Sequence, residues 1–321
     1  MIDVLTMGRV GVDVYPLQVG VSLREVETFG KYLGGSPTNV AVAAARLGRS
    51  SAVITRTGAD PFGLFIHDAL GEYGVDDRYV AAVPDLPTPV TFCEIRPPDD
   101  FPIFFYRHPK APDLEISPDE LDLEAIAGTR LFWATVTGLS QEPSRAAHFA
   151  AWRARGRMPY TVLDLDYRPM FWPGLAEAHD QVRAALGQVT VAVGNIDEVE
   201  VATGTRKPHQ AARALLDAGV ELAIVKQGGD GVLGMTSEET VEVPPVPVEV
   251  VNGLGAGDAF GGALCHGLLE GWSLEDTLRF ANAAGAIVAG RLACAPAMPT
   301  ADEVRDMLGA EAPGRTKGGE R

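Results

Sequence analysis

The chain has 321 residues and a formal net charge of −16. That length admits one large α/β enzyme with a sizeable core. That charge argues against nucleic acid and anionic membranes as partners, and any bound phosphate needs a local cationic site. Three cysteines, Cys93, Cys265 and Cys294, form no CxxC pair, which fits a reducing cytoplasm. No apolar run reaches the length of a membrane span. The six histidines show no metal-ligand spacing.

Residues 2–7 read as a short apolar strand ending at Gly8, not as a targeting segment. Residues 10–33 read as turns and short extended pieces. Asp13 falls just past the first strand, at the edge where open α/β sheets place ligands. A plain turn residue is the competing reading. Next comes Gly34-Gly35-Ser36-Pro37-Thr38-Asn39. Ser36 suits a helix N-cap and Pro37 the first helical position. Gly34 and Gly35 leave room for a ligand against the backbone, and Asn39 both donates and accepts, as a sugar hydroxyl needs. A well-capped Gly-rich turn explains the same residues.

A strand is expected at 51–55 and a helix at 61–73. Residues 88–95 and 103–108 read as two more strands. With part of 10–33 they interrupt the β/α rhythm, so a small β-sheet lid is expected over about 10–33 and 87–109. Tyr106 and Arg107 end its last strand. Arg107 is either a surface charge or a bidentate grip for a carboxylate. From residue 131 strands at 131–136, 161–166, 189–193 and 222–226 alternate with helices near 143–155, 177–187, 196–203 and 208–218. That alternation predicts a mostly parallel sheet covered on both faces, an α/β chain in three layers. One short helix is expected after Met298, and a disordered tail over 310–321. The folded domain is therefore expected over 1–309.

Four stretches carry candidate chemistry. Asp164, Asp166 and Arg168 follow a strand end and alternate onto one side. Arg168 would meet a substrate carboxylate or a phosphoryl group there, or close an internal ion pair. Asn195 and Glu198 open a helix after a strand, with spacing for a hydrated Mg²⁺ or, more simply, for a capping box. Gly229 to Gly234 matches G-x-G-x-x-G after a strand. Extended residues follow where a dinucleotide fold needs a helix, so that reading is rejected. Residues 251–264, Val-Asn-Gly-Leu-Gly-Ala-Gly-Asp-Ala-Phe-Gly-Gly-Ala-Leu, pass from a bare loop into a helix. Free amides and the helix dipole there suit a phosphate. Asp258 among those amides is either the base for an attacking hydroxyl or a helix cap.

Together these residues resemble the ribokinase-like (PfkB) family of sugar kinases. Gly34 to Ala41, then Gly48 and Gly58, is similar to its N-terminal signature. Gly255-Ala256-Gly257-Asp258 is similar to its C-terminal signature, and Asn195-x-x-Glu198 to its Asn-x-x-Glu motif. The resemblance implies a ribokinase-like fold and an ATP-dependent kinase with Asp258 as base, beside the Gly255, Ala256 and Gly257 amides. It implies sugar binding by Asp13, Gly34, Gly35 and Asn39, and nucleotide binding by Asn195, Lys226, Gly228, Gly231 and Asn282. Mg²⁺ is implied through water at Asn195 and Glu198, with K⁺ as an option and a homodimer through the lid. Asn252-Gly253 departs from the usual Asp-Thr, which bears on that K⁺ site. Phe104 to Arg107 and Asp164 to Pro169 are most like kinases of acidic keto sugars, which implies Tyr106, Arg107 and Arg168 for the substrate. A catalytically silent sugar sensor is the other class, excluded by ATP turnover; a nicotinamide oxidoreductase is a third, excluded by nucleotide binding without NAD affinity.

Overall fold

The computed structural model describes residues 1–309 and 312–313. Most of the tail expected over 310–321 lies outside the described residues. The central sheet runs, edge to edge, through Thr240–Val243, Val232–Met235, Leu222–Lys226, Val191–Asn195, Thr161–Asp164, Leu131–Thr135, Val4–Met7, Ser51–Gly58 and Val75–Asp76. Val80–Val83 also pairs with Ser51–Gly58. All pairings are parallel except at the edge hairpin formed by Val232–Met235 and Thr240–Val243. That hairpin follows Gly231 directly, so no helix follows the glycine-rich loop.

Alternate residues of one strand feed two cores, as the two-residue period of a strand requires. Leu131 and Trp133 join Val40, Phe260 and Leu264 on one face. Phe132 and Ala134 join Trp152, Val182 and Leu215 on the other. The first face carries the helices Ser36–Arg46, Ala256–Glu270 and Leu274–Ala289; the second carries Ser144–Arg155, Leu175–Leu186, Ile196–Thr203 and Pro208–Asp217. Helix Leu274–Ala289 was not among the elements read from the sequence. The short C-terminal helix is Ala301–Leu308, with Thr300 and Glu303 forming a capping box. Among the described residues no helix is long and apolar enough to cross a membrane.

A separate four-stranded sheet runs Phe29–Gly34, Gly11–Pro16, Val90–Cys93 and Ile103–Tyr106. Its outer pairs are antiparallel and its middle pair is parallel. Register puts Asp13, Thr91 and Phe105 abreast on one face, and Val14, Phe92 and Phe104 on the other. The first face looks into a cleft.

Val4–Met7 lies between Ser51–Gly58 and Leu131–Thr135. The chain leaves it in one direction for the strand at 51 and later crosses to the other side at 131. That reversal is a topological switch point, where open α/β sheets leave a crevice beyond the carboxyl ends of the strands.

Candidate active site

The cleft opens at that switch point. Its walls come from the strand ends, the inner face of the small sheet and two helix N-termini, including residues as distant in sequence as Asp13, Asn39, Asp164, Lys226 and Asp258.

The first helix N-terminus corrects the sequence reading. Gly35, not Ser36, caps helix Ser36–Arg46. Its φ of 104° suits glycine, and a Cβ there would come within 2.4 Å of the Arg9 carbonyl oxygen. Ser36 thus moves into the first turn, and its hydroxyl donates to Asp164 Oδ2 at 3.5 Å. Gly34 packs under Asp13: a Cβ on it would sit 2.2 Å from Asp13 Oδ1. Tyr15 donates its hydroxyl to Asp13 Oδ2 at 2.9 Å. Burial nevertheless raises the Asp13 carboxyl to about 6, against the lowering pull of Tyr15 and Arg9. Above that pH Asp13 is an ionised acceptor facing the cleft.

The second N-terminus belongs to helix Ala256–Glu270. Its N-cap is Gly255 in the left-handed region, at φ 83°, with no side-chain cap. Asp258 is therefore not the cap that competed with the base reading. Its Oδ2 instead accepts from Asn39 Nδ2 at 2.8 Å, which joins the two helix starts. Asn39 Oδ1 is buried without a partner among the described residues, an acceptor suited to a ligand hydroxyl. Burial raises the Asp258 carboxyl, while Asn39 and Arg9 act to lower it. Gly257 stands beside Lys226, with its notional Cβ 3.3 Å from Nζ. Burial acts to lower the Lys226 ammonium; Asp164, Glu198 and Asp258 outweigh it, and the net shift is upward. Lys226 thus stays a cation beside the Gly255–Asp258 amides, which suits an anionic ligand.

At the next strand end Asp164 and Asp166 part in character. Burial lifts Asp164. Burial would lift Asp166 too, but Arg168 and Arg9 hold it below the usual carboxylate range. Arg168 contacts Asp166 Oδ1 at 2.7 Å and Glu198 Oε1 at 3.5 Å. Asn195 and Glu198 do form a capping box: Glu198 N–H donates to Asn195 Oδ1 at 2.9 Å, and Asn195 N–H to Glu198 Oε2 at 2.8 Å. Both also line the cleft. Among the described residues no group of three or more His, Cys, Asp or Glu is arranged to ligate a metal directly. A hard oxygen set reached through water suits Mg²⁺, which sheds its waters reluctantly.

Tyr106, Arg107, Asn282, Gly228 and Gly231, all expected at the site, stand outside the cleft lining. Tyr106 is 64% exposed on the outer face of the small sheet, its ring edge-on to Phe92. Neighbouring strand residues face opposite ways, so with Phe105 turned inward Tyr106 must turn outward. Arg107 lies past the strand end, and its Nη2 donates to both Asp113 oxygens, at 3.0 and 2.7 Å. That pair is largely buried, and the guanidinium also covers the Phe171 ring at 4.9 Å. Arg107 does not line the cleft. Asn282 donates to the Pro244 carbonyl at 2.8 Å, away from the cleft lining. Gly228 (φ 59°) and Gly231 (φ 96°) shape the turn beyond Lys226 and are likewise outside the lining. Asn252, where the usual pattern has Asp, is fully buried. Its amide donates to the Leu292 carbonyl at 2.7 Å and its Oδ1 accepts from Leu254 N–H at 3.0 Å.

The reading from sequence missed Arg9, Tyr15, Phe105 and Cys294, all of which line the cleft. Only Arg9 carried a signal, its place directly after Gly8 at the end of the first strand.

A model of pfkB family carbohydrate kinases matches residues 1–301. The 5-dehydro-2-deoxygluconokinase of Clostridium beijerinckii is 33% identical over 316 residues, covering 95% of this chain and 92% of that protein. The enzyme of the same name from Shouchella clausii is 32% identical, covering 95% of each. A Vibrio cholerae fructokinase solved with fructose, ADP and calcium is 25% identical at a TM-score of 0.83, over 96% of this chain and 99% of that one. A putative ribokinase II from E. coli has a TM-score of 0.87 at 24% identity, over 96% and 99%, and bears on the fold alone. With its ribokinase-like fold and a family match spanning nearly its whole length, the chain belongs to the pfkB family and is a carbohydrate kinase.

Proposed function

We propose that the protein transfers the γ-phosphoryl group of ATP to the terminal hydroxyl of an acidic keto sugar, 5-dehydro-2-deoxygluconate, to give its 6-phosphate, a step of inositol catabolism. The observation that carries this reading is the Asn39–Asp258 contact. It joins a sugar-binding helix start to an anion-binding helix start within one cleft. The shared name of the relatives above supports the choice of sugar.

In this mechanism Asp13 and Asn39 hold sugar hydroxyls on the small-sheet side. Asp258 takes the proton of the attacking hydroxyl, and Asn39 fixes its orientation. Amides of the Gly255–Asp258 turn and the Lys226 ammonium balance charge on the transferring group. Asn195 and Glu198 would hold Mg²⁺, which when bound with ATP would neutralise phosphate charge. Closure of the small sheet as a lid excludes water and so limits ATP hydrolysis.

The test is a panel of 5-dehydro-2-deoxygluconate, 2-keto-3-deoxygluconate, fructose and ribose, assayed for ATP-dependent phosphorylation. The expected result is the highest kcat/KM for the first. Preference for 2-keto-3-deoxygluconate moves the assignment within the acid sugars, and preference for fructose or ribose removes the acid-sugar reading.

The reading extends to a homodimer through the outer face of the small sheet. Phe29, Phe104 and Tyr106 are all exposed there, and Phe92 packs edge-on against Phe29 and Tyr106. Contiguous exposed aromatics mark association surfaces. Sedimentation should give a dimer for the parent and a monomer for Tyr106→Glu; a monomeric parent removes this part.

A further inference from the structure

Every acid sugar brings a carboxylate into a cleft already lined by Asp13, Asp164, Asp166, Glu198 and Asp258. The lining cations are Arg9, Arg168 and Lys226. Lys226 lies beside Gly257, at the phosphate end. Arg168 is held by Asp166, by Glu198 and by the Tyr167 carbonyl at 2.9 Å, on the side of Asn195 and Glu198. Arg107, the obvious candidate from the sequence, is tied to Asp113 outside the cleft. Of these three lining cations, Arg9 is the one whose guanidinium lies over the Phe105 ring on the inner face of the small sheet.

We propose that Arg9 receives the carboxylate of the sugar and sets the preference for acidic over neutral substrates. The proposal rests on the acid-sugar reading above.

Three observations carry it. First, Arg9 is anchored. Its carbonyl accepts from Thr38 Oγ1 at 3.2 Å, and the capping Gly35 packs directly against that same carbonyl. The root of the side chain is therefore fixed to the helix that presents Asn39. Second, its guanidinium is only half used. Nε and Nη2 both donate to a single oxygen, Asp166 Oδ2, at 3.2 Å each. Nη1 makes no hydrogen bond to the described residues. A guanidinium carries five donors in a planar fork, so the end-on edge formed by Nη1 and Nη2 stays open for a second carboxylate. Third, it shares the cleft with the right groups. The side chain is 11% exposed. Its guanidinium lies 5.7 Å from the centre of the Phe105 ring on the small sheet, and its charge is felt at both Asp13 and Asp258. It therefore sits at the inner face of the small sheet, in the same cleft as Asp13 and Asp258 and close enough to act on both. Asp166 keeps the fork oriented while the open edge meets the ligand.

Arg9→Gln and Arg9→Lys test this, with steady-state kinetics on 5-dehydro-2-deoxygluconate and fructose and with calorimetric ATP binding. A charged hydrogen-bond pair lost to Gln should raise KM for the acid sugar roughly ten- to a hundredfold. ATP binding should stay within a few-fold. Any effect of the lost charge on Asp13 and Asp258 falls on both sugars alike, so the measure is the acid-over-neutral ratio of kcat/KM, which should collapse. Arg9→Lys keeps the charge and loses the fork, so its ratio should fall between the two. Should Arg9→Gln not fold, the Lys variant alone decides through the same ratio. A parent enzyme that prefers neutral sugars refutes the substrate reading itself. A parent that prefers the acid sugar, with variants whose ratio is unchanged or whose rates fall alike on both sugars, refutes the role of Arg9 while leaving that reading intact.

Discussion

Asp258→Asn is expected to keep ATP binding and lose turnover by about 10²–10⁴-fold, the usual range for removal of a general base. The substitution is nearly isosteric, and the side chain does not cap its helix, so little stability should be lost. Asn39 donates to the carboxylate through its amide. An asparagine at 258 can still accept that bond through its own oxygen, which keeps the two helix starts joined. Calorimetry of ATP binding beside the rate of sugar phosphorylation makes the comparison. Turnover within a few-fold of the parent would remove Asp258 from the role of base. Loss of binding and turnover together would mean that the carboxylate builds the phosphate site instead.

Gly255→Ala should be nearly as damaging, for a purely steric reason. Gly255 caps helix Ala256–Glu270 at φ 83°, and a non-glycine residue in the left-handed region costs about 1–2 kcal/mol. The added Cβ would also stand 2.5 Å from Cys294 Sγ and 2.8 Å from Cys294 Cβ. Forcing an extra carbon into such a contact costs a further ~1–3 kcal/mol or moves the loop. A shift of about 1 Å at the amides proposed to face the phosphate costs roughly 10²-fold in rate. Adding Cys294→Gly removes both side-chain atoms that the new methyl meets. The double variant should therefore recover part of the lost activity, and Tm measured alongside separates unfolding from misplacement. No rescue in a folded double variant would show that the clash with Cys294 is not the cause.

Much of the architecture was legible in the chain itself. The strand Leu222–Lys226 and the helix Ile196–Thr203 fall where hydrophobic periodicity and turn residues set them. The short C-terminal helix likewise follows Met298. The glycine-rich stretch at 229–234 leads into a strand, as its extended residues required. Helix Leu274–Ala289 went unread, although Ser273 caps it through a bond from Asp276 N–H. The Ser36 cap was misassigned by one residue, since a local rule for hydroxyl caps cannot register that the Arg9 carbonyl packs against position 35.

The sequence by itself determined what is carried by backbone conformation and near neighbours. These are the bare loop entering the helix at Gly255, the capping box of Asn195 and Glu198, and the β/α alternation that makes a crevice at the strand ends. Tertiary structure alone decided which charges meet. Asn39 reaches Asp258 across 219 residues, and Arg9 reaches Asp166 across 157. Tyr106 turned outward because the register of Ile103–Tyr106 against Val90–Cys93 gave the inner face to Phe105. Arg107 went to Asp113, six residues on, once the strand ended. A strand's register and an ion pair's partner depend on which surfaces the whole fold brings within a few ångströms, and no local pattern of residues encodes that.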